Sequence, residues 1–516
     1  MNFNRFGLCI FFTGLLLAGC GEPRPELETP SDLAASAVIP LPINMTSSGG
    51  GYFLDENTVI YAADSSVLNV AGHLQEMLTN HVGSTPQIEL SADTDEEGII
   101  LQVTGNDSES EGYTLSISED RTLISAGSSA GLFYAVQTLK QVIVNDGNYI
   151  YFPTGEISDE AVYGYRGIML DVARHFFTVE EVKRTIDYLA FYKLNHLHLH
   201  LSDDQGWRIE IKSWPKLTEI GGSTEVDGGP GGFYTQEEYK DIVAYAAERF
   251  VTIVPEIDMP GHTNAALASY AELNCDGKAT ELYTGTRVGF STLCTDKEIT
   301  YEFLDDVIGE ISAITPGPYF HIGGDESHVT PMEDYIPFIE RVQDIVKKHN
   351  KTSIGWDEIA NAKLLEGNIA QWWASAENAN KALEQGAKLL ISPAQKAYLD
   401  MQYDSTSQFG LHWAAYIPMD SGYMWSPDQL IPEITKENII GIEAPLWSET
   451  ISDLDEAEYL MFPRLPGYAE IGWTPEEKRD WDSYKPRAEA HGKIWEDMGI
   501  DFYRSEKIDW EDPAKL

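Results

Sequence analysis

The sequence predicts a (β/α)8 TIM barrel preceded by a small α+β domain, and three observations carry that prediction. From Tyr165 onward, short apolar runs alternate with amphipathic helical patterns, which is how a parallel sheet wrapped by helices reads. Eight such runs occur, ending near Asp171, Ser202, Asp258, Asp325, Asp357, Trp373, Pro393 and Trp447, enough to close a barrel. Nearly all the polar and aromatic clusters fall at those runs: Arg166 with Asp171, His200 with Asp203 and Asp204, Asp258 with His262, Asp325 with Glu326, Trp356, Trp373, Tyr398 with Asp400, and Trp447 with Glu449. A barrel of parallel strands carries its chemistry at their carboxyl ends.

In front of the barrel, residues 1–20 carry one charge, Arg5, before an apolar run from Phe6 to Ala18 and the pair Gly19-Cys20. This is the form of an export signal, too short for a permanent membrane span. Leu17-Ala18-Gly19-Cys20 resembles a bacterial lipobox, which makes Cys20 the expected lipid-bearing residue; cleavage by ordinary signal peptidase is the alternative. The chain is thus expected to be exported and lipid-anchored to a bacterial membrane, on the periplasmic or cell-surface side, with no other membrane contact. Residues 21–38, rich in Pro, Glu, Ser and Ala without periodicity, read as a flexible tether. With Cys9 removed in the signal and Cys20 taken by lipid, Cys275 and Cys294 remain as an even pair in an exported protein. A disulfide is then expected, and two buried thiols are the alternative.

Residues 39–157 read as the small α+β domain. Gly98–Val103, Tyr113–Ile117 and Thr122–Ala126 have strand character, the last two joined by a turn at Ser118-Glu119-Asp120. Leu132, Phe133, Val136, Leu139 and Val142 recur at helical spacing between Ala130 and Val144. Nothing in this segment has a catalytic pattern. Residues 158–516 hold the barrel and a C-terminal helical extension.

Composition narrows the function. The chain has 83 acidic and 35 basic residues, a net charge of −48, which argues against nucleic acid as a partner because phosphate binding needs the opposite sign. The excess reads as a solvated acidic surface. No glycine-rich phosphate loop accompanies the Asp, Glu, Arg and Trp clusters, so they point to a neutral polyhydroxylated ligand.

Gly323-Gly324-Asp325-Glu326 follows the short buried run Tyr319-Phe320-His321-Ile322. The glycines permit a tight turn and close approach to a ligand. Buried neighbouring carboxylates repel, so one of them retains a proton near neutral pH and can act as a general acid. The same four residues exposed to water would be an ordinary turn. His196, His198 and His200 alternate along one strand and face the same side; with His262 and His321 they could ligate a metal such as zinc, the second reading of this barrel. Against it, metal-dependent barrel hydrolases carry their histidine pair on the first strand, and here it lies on the second. Trp356, Trp372, Trp373, Trp413, Trp425 and Trp447 crowd the second half of the barrel and suggest an aromatic-walled pocket suited to a sugar ring.

Seven segments in order, Tyr165–Asp171 with Arg174-His175-Phe176, His198–Arg208, Pro255–His262, the Gly-Gly-Asp-Glu, Trp356-Asp357-Glu358, Tyr398-Leu399-Asp400 and Glu443–Glu449, resemble family 20 glycoside hydrolases, the β-N-acetylhexosaminidases. The resemblance implies an exo-acting, retaining enzyme without cofactor or metal, acting on oligosaccharides or glycoconjugates that end in β-linked N-acetylglucosamine or N-acetylgalactosamine. It implies Glu326 as the acid and base, which requires its pKa to rise above the ordinary value of about 4.3. Asp325 would steady the substrate's acetamido group, whose own oxygen serves as nucleophile. Tyr398 would bond the acetamido oxygen; Trp356, Trp373, Trp413 and Trp447 would wall the pocket; and Arg166, Asp400 and Glu449 would hold the outer hydroxyls. Asp203 and His262 would orient the acid. The Cys275–Cys294 pair resembles a disulfide found in some members.

Overall fold

The computed structural model describes residues 27–105 and 110–510, so the expected signal segment and Cys20 lie outside the described residues. Strands β1 (Asn44–Phe53), β2 (Val59–Ala62), β3 (Gln87–Leu90), β4 (Ile99–Val103), β5 (Tyr113–Ile117), β6 (Thr122–Ala126), β7 (Val144–Asn145) and β8 (Ile150–Asp159) form the sheet of the first domain. Their order is β1-β8-β5-β6-β4-β2-β3, with β7 appended to β8. Helices Leu68–Val82 and Ser129–Val142 pack on it through Val70, Leu74, Leu132, Phe133, Val136 and Leu139. The helix expected from Ala130 is present. Strands β1, β2, β3 and β8 were not distinguished in the sequence, because β1 is largely polar, with only Gly51 and Tyr52 buried along it.

Eight parallel strands then close on themselves: β9 (Tyr165–Asp171), β10 (His196–His200), β11 (Thr252–Glu256), β12 (Tyr319–His321), β13 (Thr352–Trp356), β14 (Ile369–Trp372), β15 (Lys388–Ile391) and β16 (Ile439–Leu446), with β16 returning to pair with β9. The barrel is the predicted one. Its helices begin where the local sequence satisfies their first amides. Thr178 with Glu181 and Thr235 with Glu238 form reciprocal capping boxes in front of Val179–Phe191 and Gln236–Ala247. The interior is layered. Val254, Ile354, Ile369 and Leu390 fill the lower end beside Tyr165, whose ring stacks on His196 at 3.8 Å. His198, Glu256, His321 and Glu443 form a buried polar layer above them.

Two sequence expectations are corrected here. Residues 31–38 are no free tether: Leu33, Val38 and Ile39 are buried, and His491 and Arg487 hold the carbonyls of Ala37 and Val38. Arg166 does not reach the catalytic end. It stands near the start of β9, about 16 Å below Asp171 at roughly 3.3 Å per residue. There it meets the first domain, with Nη1 and Nη2 donating to Glu111 at 2.6 and 3.1 Å and its guanidinium 4.9 Å from the Trp473 ring. Beside it Lys193 pairs with Asp159, both fully buried. The Cys275–Cys294 disulfide is formed.

Removing one member of such an ion pair strands the other, typically at a cost of about 3 kcal/mol. Arg166→Met is therefore expected to lower the unfolding free energy by about that amount in urea while leaving KM unchanged. A tenfold rise in KM would return Arg166 to the substrate site.

Candidate active site

The turn after β12 is held by contacts that only glycine permits. Gly323 has φ +62°, and a Cβ there would lie 1.8 Å from Asp258 Oδ1. Gly324 has φ +104°, and its Cβ would meet Ile359 Cγ2 at 2.6 Å. The Gly324 N–H donates to Asp258 Oδ1 at 3.0 Å and the Tyr335 hydroxyl donates to Gly324 O at 2.6 Å, which pins the turn from both sides. Glu326 at φ +44° and His262 at φ +55° follow in the left-handed region, a strained conformation for residues with side chains that is commonly concentrated at functional sites.

Asp325 and Glu326 face a cavity of about 270 Å³, at the small end of ligand sites. Trp373, Tyr398, Trp413 and Trp447 line it together with Arg174, His262 and Glu449. Tyr398 stacks on Trp373 at 6.4 Å and meets Trp413 edge-on at 6.0 Å. Trp356 lies beneath Trp447, 5.6 Å between centroids, and is itself buried. Trp373 is placed by two acids: its indole N–H donates to Glu358, and Asp357 accepts the backbone N–H groups of Trp373, Ala374 and Ser375. Thr286 and Val288, on the loop closed by the Cys275–Cys294 disulfide, complete the wall.

Behind the two carboxyls runs a line of buried charge. Arg174 Nη2 lies 2.8 Å from Asp203 Oδ2, and Asp203 Oδ1 lies 3.2 Å from His262 Nδ1. His262 Nε2 is 3.6 Å from Glu326 and 3.9 Å from Asp325. Burial disfavours a charged His262, but Asp203 and Asp258 outweigh it and raise its pKa well above the ordinary imidazole value. Burial also pushes Glu326 toward its protonated form. The neighbouring His262 and then Arg174 outweigh that, so Glu326 falls below the ordinary carboxylate range. This corrects the expected upward shift. Asp325 moves the other way, well above the ordinary value, through burial and then the charge of Asp258.

Most of the sequence candidates meet here. Asp325, Glu326, Tyr398, Trp373, Trp413, Trp447, Glu449 and His262 line the cavity, with Trp356 and Asp203 behind them. Asp400 is buried nearby, raised by burial and by Glu449, and neither of its carboxylate oxygens has a partner among the described residues. Arg166 is absent, and Arg174, three residues past the end of β9, occupies the position expected of it, its guanidinium 4.9 Å from the Trp447 ring. The signal that would have chosen Arg174 was available: it follows a strand's carboxyl end, whereas Arg166 precedes it. Asp258, which holds the glycine turn, was recognised as a strand-end acid without a role.

Comparison with known proteins agrees with this geometry. Residues 163–476 match the model for the glycosyl hydrolase family 20 catalytic domain, and residues 35–160 match that for domain 2 of the same family. A β-N-acetylhexosaminidase of Cellulomonas fimi is 39% identical over 486 residues, covering 93% of this chain and 98% of that protein. The family 20 β-N-acetylhexosaminidase of Streptomyces coelicolor A3(2) superposes with a TM-score of 0.89 at 47% identity, covering 93% of this chain and 100% of the other. A mutant Streptomyces plicatus β-hexosaminidase, solved in complex with its product GlcNAc, gives a TM-score of 0.89 at 47% identity, with 94% and 99% covered.

Burial first, and then the charge of Glu256, push Asp258 up to about 7 from an ordinary value of about 3.9. The folded protein therefore holds this proton more tightly than the unfolded chain between those values, and stability falls as pH rises across the window. Asp258→Asn, which keeps an oxygen for the Gly324 amide, is expected to lessen the decline in Tm between pH 5 and about 7. An identical slope in the variant would show that Asp258 ionises normally.

Proposed function

The chain belongs to glycosyl hydrolase family 20 and is a glycoside hydrolase, and from that premise we propose that it removes single terminal β-linked N-acetylglucosamine or N-acetylgalactosamine residues by substrate-assisted catalysis with retention. The observation that carries the reading is the placement of the two carboxyls on one turn. Asp325 lies deeper, its side chain 10% exposed against 29% for Glu326, so the pair does not stand across the sugar as acid and nucleophile.

In this mechanism Glu326 protonates the leaving oxygen while the substrate's acetamido oxygen attacks the anomeric carbon and displaces it. Asp325 accepts the acetamido N–H and offsets the positive charge of the oxazolinium ion. Tyr398 donates to the acetamido oxygen, and Trp373, Trp413 and Trp447 close around the ring with Trp356 beneath them. Glu326, now ionised, takes a proton from water as that water attacks the same carbon and breaks its bond to the acetamido oxygen, which restores the original configuration and the acetamido group. Sugar entry reverses the resting state of the two acids: the acetamido N–H favours ionised Asp325, and exclusion of water favours protonated Glu326. Arg174, Asp400 and Glu449 hold the outer hydroxyls of a single terminal residue, and the small cavity supports exo action. His262 and Asp203 keep Glu326 aimed. Export and lipid attachment at Cys20 belong to the same proposal; Cys20→Ser is expected to move the protein from the membrane fraction to the soluble one.

Aryl β-N-acetylglucosaminide is expected to be hydrolysed on the order of 10³-fold faster than the matching aryl β-glucoside, because only the first brings its own nucleophile. Equal rates would sink the acetamido mechanism. Glu326→Gln is expected to lose roughly 10²–10⁴-fold on substrates with poor leaving groups and far less on activated aryl glycosides. Exhaustive chelation is expected to leave the rate unchanged; loss restored by zinc would favour the metal reading of the histidines.

A further inference from the structure

The alternating histidines of β10 and the buried carboxylate of Glu256 take no part in the reaction just described, yet they fill the barrel axis beneath the cavity. Glu256 ends β11 and is fully buried. Four side-chain nitrogens lie within hydrogen-bonding distance of it. Trp356 Nε1 donates to Oε1 at 3.0 Å, and His321 Nδ1 lies 2.9 Å from the same oxygen. His200 Nδ1 lies 2.5 Å and His198 Nε2 2.9 Å from Oε2. Burial opposes a charge here, but the imidazoles of His321, His200 and His198 outweigh it and hold Glu256 well below the ordinary carboxylate range. A carboxylate offers about four acceptor sites, and Trp356 Nε1 and His200 Nδ1 take one on each oxygen.

Three of the four contacts lead to the active site, and those of Trp356 and His200 form two arms. Trp356 carries one arm to the pocket floor, against Trp447. His200 carries the other: its Nε2 lies 2.9 Å from Asp203 Oδ2, and Asp203 holds Arg174 and His262, which faces Glu326. His321 leads there as well, since its ring packs edge-on against Trp356 at 5.1 Å and its Nδ1 lies 3.1 Å from the Gly323 amide nitrogen of the acid turn. His198 bridges to Glu443 at 2.9 Å, and the His321 ring packs against His198 at 4.4 Å. Donor atoms of His198, Glu256 and His321 fall within 4.8 Å of one another, a spacing a cation could use. Hydrogen bonding accounts for it as well, since each imidazole already has a carboxylate oxygen at 2.9 Å.

We propose that Glu256 is a positioning residue that joins the pocket floor to the line aiming the acid, fixing Trp356 through one oxygen and, through His200 and Asp203, the orientation of His262 toward Glu326. It touches no substrate. The inference rests on the reading of Glu326 as proton donor, and its test separates the two.

Glu256→Gln keeps the shape but presents an NH2 group where two nitrogens need an acceptor, so one arm must break. Wild type and variants are assayed on β-N-acetylglucosaminides with a methyl and with a dinitrophenyl leaving group. An inactive wild type would defeat the proposed function itself and is read first. With an active wild type, Glu256→Gln is expected to lower kcat about 10- to 100-fold on the methyl glycoside and by a smaller factor on the dinitrophenyl glycoside, which needs little proton donation. Tyr165→Phe removes a buried hydrogen bond to Glu443 in the same barrel axis without touching Glu256 or either arm, and serves as the control for lost packing. It is expected to lower thermal stability with kcat kept within about threefold on both substrates. If Glu256→Gln does not fold, His200→Gln breaks the arm to Asp203 alone and is expected to show the same dependence on leaving group. The proposal is overturned if the arm-breaking variant keeps kcat within threefold, or if it and Tyr165→Phe lose equal factors on both substrates.

Discussion

Burying several carboxylates in one place, in a chain already far from neutral, is the constraint around which the catalytic end of this barrel is built. Asp203, Asp258, Asp325, Glu256 and Asp400 are all buried within or beneath one cleft. Isolated charges in such surroundings would neutralise or unfold their host. The structure resolves this unevenly. Arg174, His262 and His200 keep Asp203 ionised, and three imidazoles do the same for Glu256. Asp258 and Asp325 also face His262, yet burial and neighbouring carboxylates prevail there, as burial and Glu449 do at Asp400, and all three are pushed toward their protonated forms. The same uneven distribution separates Asp325 from Glu326, chemically similar neighbours whose surroundings set them apart.

Backbone geometry converts that electrostatic arrangement into a site. A carboxylate from the end of β11, Asp258, accepts the amide of Gly324 and leaves no room for a side chain at Gly323. The turn that presents the acid pair is therefore shaped by a residue of the preceding strand, and two different jobs fall to Asp258. Asp357 likewise gathers three successive backbone amides to set Trp373. Aromatic walls and acids are thus placed by other acids. A cluster that looks redundant in sequence divides into members that face the ligand and members that hold the loops.

At the opposite end of the barrel the first domain is joined by buried ionic contacts. Arg166 and Lys193 reach down to Glu111 and Asp159 around the ring of Trp473. The segment before β1 is fastened to the helix Trp481–Met498 by Arg487 and His491. This junction accounts for polar residues that a sequence reading assigns elsewhere: Arg166 to the sugar, residues 31–38 to a tether. In both cases the partner lies more than 50 positions away in sequence, out of reach of any local pattern.

Periodicity and strand ends were legible in the amino-acid sequence because both are local. The alternation of apolar runs with amphipathic helices specifies eight βα units, and the carboxyl-end rule then names Asp325, Glu326, Tyr398, Trp373 and Trp447 as neighbours before any coordinates exist. The ordered motifs carry the family. What the sequence alone left open was everything that depends on distance through space. It chose Arg166 over Arg174, since both are arginines near one strand and only the barrel separates its two ends. It expected Glu326 to be raised, since a carboxylate's pKa depends on which charges face it, and His262 comes from a loop more than 60 residues earlier. It left the histidines of β10 between metal and packing, and only the closed barrel brings Glu256, Trp356 and Asp203 to them. Local pattern determined which residues stand at the top of the barrel; tertiary packing decided which of them are charged, because electrostatic energy falls with distance and burial and neither is written along the chain.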